Sequence, residues 1–103
     1  MVYRSKLEIR ADILGVAKDG AKKTDILYQA NLSYKVLKKY LHDLLEGGML
    51  HIDRYSGKFF TTYRGEKYRK EILKLEKRHK RLLKRKEELD KEKDVFLVNL
   101  GFK

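Results

Sequence analysis

The sequence predicts a mainly α fold with one small β-hairpin: a winged helix-turn-helix followed by a long C-terminal coiled-coil helix. Three observations predict it. Two helical segments, Thr24 to Ala30 and Ser33 to about Glu46, are separated by a break of only two residues, Asn31 and Leu32. Two short apolar runs come directly after them, on either side of a turn-forming stretch. From Tyr63 to about Lys93 the chain then carries leucines at seven-residue steps and no proline. The expected organisation is a compact domain over residues 1–62 and a helical arm with an apolar tail over 63–103.

Composition narrows the function classes. Cysteine is absent, which removes disulfides, thiolate metal sites and cysteine nucleophiles. No run of about 18 apolar residues exists to span a membrane. The segment Met1-Val2-Tyr3-Arg4-Ser5-Lys6 has no signal-peptide core, so a cytoplasmic location is expected. The formal net charge is +11 over 103 residues, with 40% of the chain charged. An excess of that size repels itself, so it points to a polyanionic partner. Nucleic acid is the first such partner and an anionic membrane surface the second.

The first helix opens on Ser5-Lys6-Leu7-Glu8, which fits a capping box. Ile9, Ile13, Val16 and Ala17 follow at helical spacing for a core face, and Asp19-Gly20 ends the helix. Thr24 is the expected cap of the second helix, with Ile26, Leu27 and Ala30 facing inward. Ser33 caps the third, and Gly47-Gly48 terminates it.

The third helix divides by face. Leu37, Tyr40, Leu41, Leu44 and Leu45 form one side, for burial. Tyr34, Lys35, Lys38, Lys39 and His42 lie on the other side or at its margins. Met49 to Asp53 reads as a strand, with Leu50 and Ile52 inward. Arg54-Tyr55-Ser56-Gly57 reads as a turn, and Lys58 to Thr61 as the return strand. Thr62 caps the long helix, which at about 1.5 Å per residue would run roughly 45 Å.

Tyr68, Leu75, Leu82, Leu89 and Phe96 form a seven-residue ladder along that helix, with Ile72, His79, Lys86 and Lys93 as companions. One seam position is apolar throughout and the other is mostly polar, so the pattern supplies one narrow stripe for a partner helix. The expected pairing residues are Tyr68, Ile72, Leu75, Leu82, Leu89 and Phe96. Leu83 widens the stripe, and Glu76–Lys80 and Glu87–Lys91 add i,i+4 support. Val95 to Phe102 is strongly apolar and needs cover, for which a partner chain is the expected source.

A basic face on a third helix is an ordinary solvated surface in most proteins. Here it follows a short helix and a tight turn and precedes a hairpin, the arrangement in which such a face enters a DNA major groove. Lys35, Lys38 and Lys39 then meet phosphates, while Asn31 and Tyr34 reach bases or sugars. No arginine lies on this face, so bidentate guanine readout is lacking and sequence specificity is modest. At the hairpin tip, Arg54, Tyr55 and Lys58 are either a plain polar turn or a minor-groove contact. Lys77, Arg78, Lys80, Arg81, Lys84, Arg85 and Lys86 form a block without an acid. It is a solvated face, a second DNA surface, or the complement of Glu87, Glu88, Asp90 and Glu92 in an antiparallel partner.

The three histidines, His42, His51 and His79, sit on different elements with no HExxH, P-loop or GxGxxG motif beside them. No catalytic residue, metal site, cofactor or small-molecule substrate is expected.

From Ile13 to Gly65 the sequence resembles the archaeal winged-helix DNA-binding proteins of the Sulfolobus 10a chromatin family. Ile13-Leu14, Gly20, Lys23-Thr24, Ile26, Tyr28, Asn31-Leu32-Ser33, Tyr40-Leu41, Leu44-Leu45, Gly48-Met49-Leu50, Phe60-Thr61-Thr62 and Gly65 carry the resemblance through their order and spacing. It implies an antiparallel coiled-coil homodimer that presents two heads to double-stranded DNA, with little sequence preference and a nucleoid-associated role. The wing is short for that family, and the tail from Val95 to Phe102 departs from it. The expected DNA-binding set is Lys22, Lys23, Asn31, Ser33, Tyr34, Lys35, Lys38, Lys39, His42, Arg54 and Lys58. A sequence-specific repressor, a protein-interaction adapter and an RNA-binding protein are the alternatives.

Overall fold

The computed structural model describes the backbone of residues 4–99 and the side chains of residues 4–93. Along the chain lie α1 (Lys6–Val16), α2 (Lys23–Gln29), α3 (Tyr34–Glu46), β1 (Leu50–Ile52), β2 (Phe59–Thr61) and α4 (Tyr63–Asn99). This is the predicted mainly α fold with one antiparallel hairpin, a winged helix-turn-helix and a long C-terminal helix.

Local polar bonds set the starts of the elements. Ser5 has an extended backbone, and its Oγ accepts the Glu8 N–H at 3.1 Å to open α1. The reciprocal half of the expected capping box, from Glu8 back to Ser5, is absent among the described residues. Ser33 caps α3 by accepting the Val36 N–H at 3.3 Å. Thr62 accepts the Gly65 N–H at 3.0 Å to open α4, and its hydroxyl donates to the Gly48 carbonyl at 2.6 Å.

Thr24 does not cap α2. The helix starts at Lys23, Lys22 holds the extended cap conformation, and the Asp25 carboxylate accepts the Lys22 N–H at 3.2 Å. The cause lies far off in sequence. Ala21 bridges Phe59 in antiparallel fashion, exchanging N–H···O bonds of 3.0 and 2.8 Å. That pairing keeps the chain extended to Lys22, and the helix begins at once beyond it.

The core gathers Ile13, Leu14 and Ala17 of the first helical segment, Ile26 and Ala30 of the second, and Leu37, Tyr40, Leu41 and Leu44 of α3. Leu50 and Phe59 of the hairpin close it. The buried face of α3 is therefore the predicted one, with Leu45 packed at its edge. In the hairpin, Leu50 pairs with Thr61, His51 with Phe60 and Ile52 with Phe59. Ile52, expected inside, is 39% exposed, although its cross-strand partner Phe59 is buried in the core. Strand β2 is tied to α1 through Thr61, which donates its N–H to Ala17 at 3.0 Å and its hydroxyl to Leu14 at 2.6 Å.

The chain divides into two compact units, residues 1–73 and 74–103. The first turns of α4 thus belong to the head. Ile72 is 1% exposed, and Tyr68 packs against the core while its hydroxyl accepts from Arg10 at 3.2 Å. The structure gives these two seam residues to the head, because the start of α4 covers apolar surface there. In the second unit the side chains of residues 77–93 are all exposed. The α4 backbone continues past the expected end near Lys93 to Asn99, since no Gly or Pro interrupts it before Gly101. Phe96 and the rest of the Val95–Phe102 tail lie outside the described side chains.

Gly65 is buried inside α4, where a glycine is otherwise unfavourable. A Cβ there would meet the Met49 carbonyl oxygen and the Thr61 methyl group. Gly65→Ala is expected to destabilise the head. Overpacking against rigid backbone costs up to about 3 kcal/mol, against about 1 kcal/mol gained in helix propensity. The net loss of about 2 kcal/mol lowers the melting midpoint by roughly 10 °C in circular dichroism. An unchanged midpoint contradicts the packing described.

Candidate nucleic-acid interface

The outer face of α3 presents Tyr34, Lys35, Lys38, Lys39 and His42, all exposed. Amphipathicity alone puts them there, since the opposite face is committed to the core. Lys38 and Lys39 carry no ion pair among the described residues, so their charge is available to an outside anion.

Tyr34 is held in place rather than dangling. The Lys23 ammonium donates to its hydroxyl at 3.0 Å and lies 4.5 Å from its ring centroid. The Lys23 hydrogen bond, then the Lys23 charge, pulls the phenol below its usual titration range, with a smaller contribution from Lys38. The phenol oxygen accepts from Lys23, which leaves its own O–H to donate outward. Lys23 and Tyr34 are therefore one unit joining the start of α2 to the start of α3.

Asn31 makes the turn between these helices with φ +52°, a left-handed conformation that asparagine tolerates. Its carbonyl accepts from Arg4 at 3.0 Å, and Arg4 also pairs with Asp12 at 2.8 Å. The Asn31 residue is exposed. Ser33 is exposed too, but its oxygen accepts the cap bond of α3, so only its proton is open to a ligand. His42 lies 3.3 Å from the Glu46 carboxylate one turn on, a neighbour that competes with a phosphate. Lys22 and Lys58 are exposed and Lys23 is partly covered.

The wing tip is short and tightly made. Asp53 accepts the Ser56 hydroxyl at 2.6 Å, the Ser56 N–H at 3.2 Å and the Tyr55 N–H at 3.4 Å. The Ser56 hydroxyl is the main cause that holds the Asp53 carboxyl below its ordinary range, followed by the Ser56 N–H. Gly57 supplies φ +71°, and the Asp53 and Lys58 backbones pair at 2.9 Å. Arg54 and Tyr55 therefore project from a fixed turn, with Tyr55 fully exposed.

Among the expected pairing residues, Leu75, Leu82 and Leu89 are 51%, 69% and 47% exposed, and Leu83 beside them is 47% exposed. They line one stripe of the second unit. Among the described residues no group of three or more His, Cys, Asp or Glu side chains converges to hold a metal, and no helix is long and apolar enough to cross a membrane.

Sequence reasoning missed the bridge at Ala21, the Lys23–Tyr34 unit and the Arg4 anchor, which join residues 38, 11 and 27 positions apart. No local signal reports such pairs. It placed the turn at Arg54 to Gly57 but missed the Asp53 side chain that caps it, for which a signal was present: Asp three residues before Ser, with Gly next, is a side-chain-capped turn.

Residues 3–80 match the winged helix-turn-helix family. No curated protein matches the sequence. Among solved structures the chain is similar to Sso10a-2, described as a DNA-binding protein from Sulfolobus solfataricus. The two are 29% identical with a TM-score of 0.80, and the match covers 85% of this chain and 95% of that one.

Proposed function

Since the chain belongs to the winged helix-turn-helix family, we propose that it is a dimeric duplex-DNA-binding protein of low sequence specificity with a chromatin-organising role. One observation carries the reading: α3 turns Lys35, Lys38 and Lys39 outward on a head whose core is complete without them. Lys22, Lys23, Arg54 and Lys58 add cations on the adjoining turn and wing. These side chains suit phosphates, which fix position without reading sequence. Tyr34 and Asn31 are the groups placed for sugars or base edges. The lack of an arginine on the outer face of α3 argues against a strongly specific repressor.

The arm supports the dimer. Leu75, Leu82 and Leu89 recur on one stripe and stay 47–69% exposed in a single chain. A second copy of the same helix offers the matching stripe. Two heads then share one particle, which can touch two places on one duplex or join two duplexes.

A titration with random-sequence duplex at about 50 and 200 mM salt tests the reading, beside a mass measurement of the free protein. If about six cations of a head meet phosphate, affinity falls roughly a thousandfold between the two conditions. Equal affinity at both salts, or no binding at the lower one, rejects DNA as the partner. A monomer mass rejects the dimer.

A further inference from the structure

Lys77, Lys80, Arg81 and Lys84 stand at i, i+3, i+4 and i+7 of α4, so they form one stripe about two turns long. At about 1.5 Å per residue the stripe covers roughly 10 Å of helix. All four residues are exposed, and none has an acidic partner among the described residues. The nearest such pair, Arg85 with Glu88, lies beyond them at 3.4 Å.

The position of this stripe around the helix decides what it can meet. Lys77 and Lys84 follow Leu75 and Leu82 by two residues, and Lys80 precedes Leu82 by two. Two residues are about 200° of turn at 3.6 residues per turn. The cations therefore lie on the back of the leucine stripe, with Arg81 at its edge. Residues of a partner helix that interact by charge flank the seam and do not reach the back. Arg78, Arg85 and Lys86 sit nearer the seam and remain available to a partner's acids. The acid-free block thus splits into a pairing part and an outward part.

The outward part has no reason internal to the chain. Lys77 with Arg81 and Lys80 with Lys84 are like-charge i,i+4 pairs, which weaken a helix. A polyanion alongside reverses that sign. An anionic membrane fits poorly, because a surface-lying helix must sink its apolar face into the lipid, and in the dimer proposed above the partner helix covers that face.

We propose that Lys77, Lys80, Arg81 and Lys84 form a second duplex-DNA surface on the arm, separate from the winged heads. The inference rests on the DNA-binding, dimeric reading above. It makes the arm a contact surface for DNA as well as a spacer, so a duplex can lie along it while the heads hold another.

The test replaces all four by glutamine in the full chain, since glutamine keeps helix propensity and removes charge. Binding to a long random duplex is followed across salt, beside the mass of each protein. The slope of log affinity against log salt is expected to fall by about 0.9 for each lost contact, so by about 3.6 for the four in each chain. The head variant Lys38→Glu with Lys39→Glu is expected to keep weak, salt-sensitive binding that disappears when the arm is neutralised as well. An arm variant of unchanged slope overturns the inference, as does a head variant with no residual binding. If the unaltered chain fails to bind duplex at low salt, the parent reading falls, and this one with it. Binding retained on acidic vesicles but not on duplex would assign the stripe to a membrane and overturn it.

Discussion

Lys38→Glu combined with Lys39→Glu is expected to weaken binding to random duplex by at least a hundredfold near 0.1 M salt, with no change in the thermal midpoint of the head. Both side chains are exposed, and neither contributes to the core. Their removal leaves the packing of Leu37, Tyr40 and Leu41 intact, so folding is spared. Each phosphate contact contributes a salt slope of about 0.9, which at 0.1 M corresponds to about eightfold in affinity. Two contacts make roughly sixtyfold, and reversing the charge adds repulsion to the loss. The slope itself drops by about 2. The measurement is fluorescence anisotropy over a salt series, with circular dichroism on the same samples. Wild-type affinity in this variant would remove α3 from the DNA interface. Lost affinity together with a lowered midpoint would mean that the residues support the fold instead.

Leu82→Glu is expected to convert the particle from dimer to monomer. The side chain is 69% exposed in a single chain, so nothing within that chain is lost, and glutamate is a good helix former. In the pair, each copy forfeits about 2 kcal/mol of leucine burial. Two copies make about 4 kcal/mol, or roughly a thousandfold in the dissociation constant. Light scattering reads the mass, and a bridging assay with two labelled duplexes reads the consequence. The monomer should still bind short duplex while bridging between two heads disappears. A dimer mass that survives the substitution would place the interface elsewhere.

The elements themselves were largely legible because their signals are short-range. Ser5, Ser33 and Thr62 each stand three residues before the residue whose N–H they accept. Gly47 and Gly48 mark the end of α3, and the leucine spacing within it marks the buried face. Thr24 shows the limit of that reasoning. As a cap residue it was plausible by type, but pairing between Ala21 and Phe59, distant in sequence, moved the helix start ahead of it. Tyr68 and Ile72 show the same limit from the other side. Tyr68 shares the period of Leu75, Leu82 and Leu89 and Ile72 occupies the companion seam position, and period says that a stripe is apolar without saying what covers it. The head covers Ile72, whereas Leu82 stays open.

The candidate interface divides similarly. Its lysines were readable from the amphipathic pattern of α3. The competition of Glu46 for His42 was readable as well, since the two stand four residues apart. The coupling of Lys23 to Tyr34 was not, because the two lie on different helices, whereas the cap bond that occupies the Ser33 acceptor was.

Helix starts, faces, turn residues and the charge excess came from the order of residues alone, because backbone bonds and side-chain periods act over three to seven positions. Which neighbour claims an apolar stripe, and which polar atom is already engaged, was resolved by packing between segments remote along the chain. Burial is a property of what arrives from elsewhere, so one apolar seam in the sequence became a head contact at Tyr68 and Ile72 and an open stripe beyond Lys74.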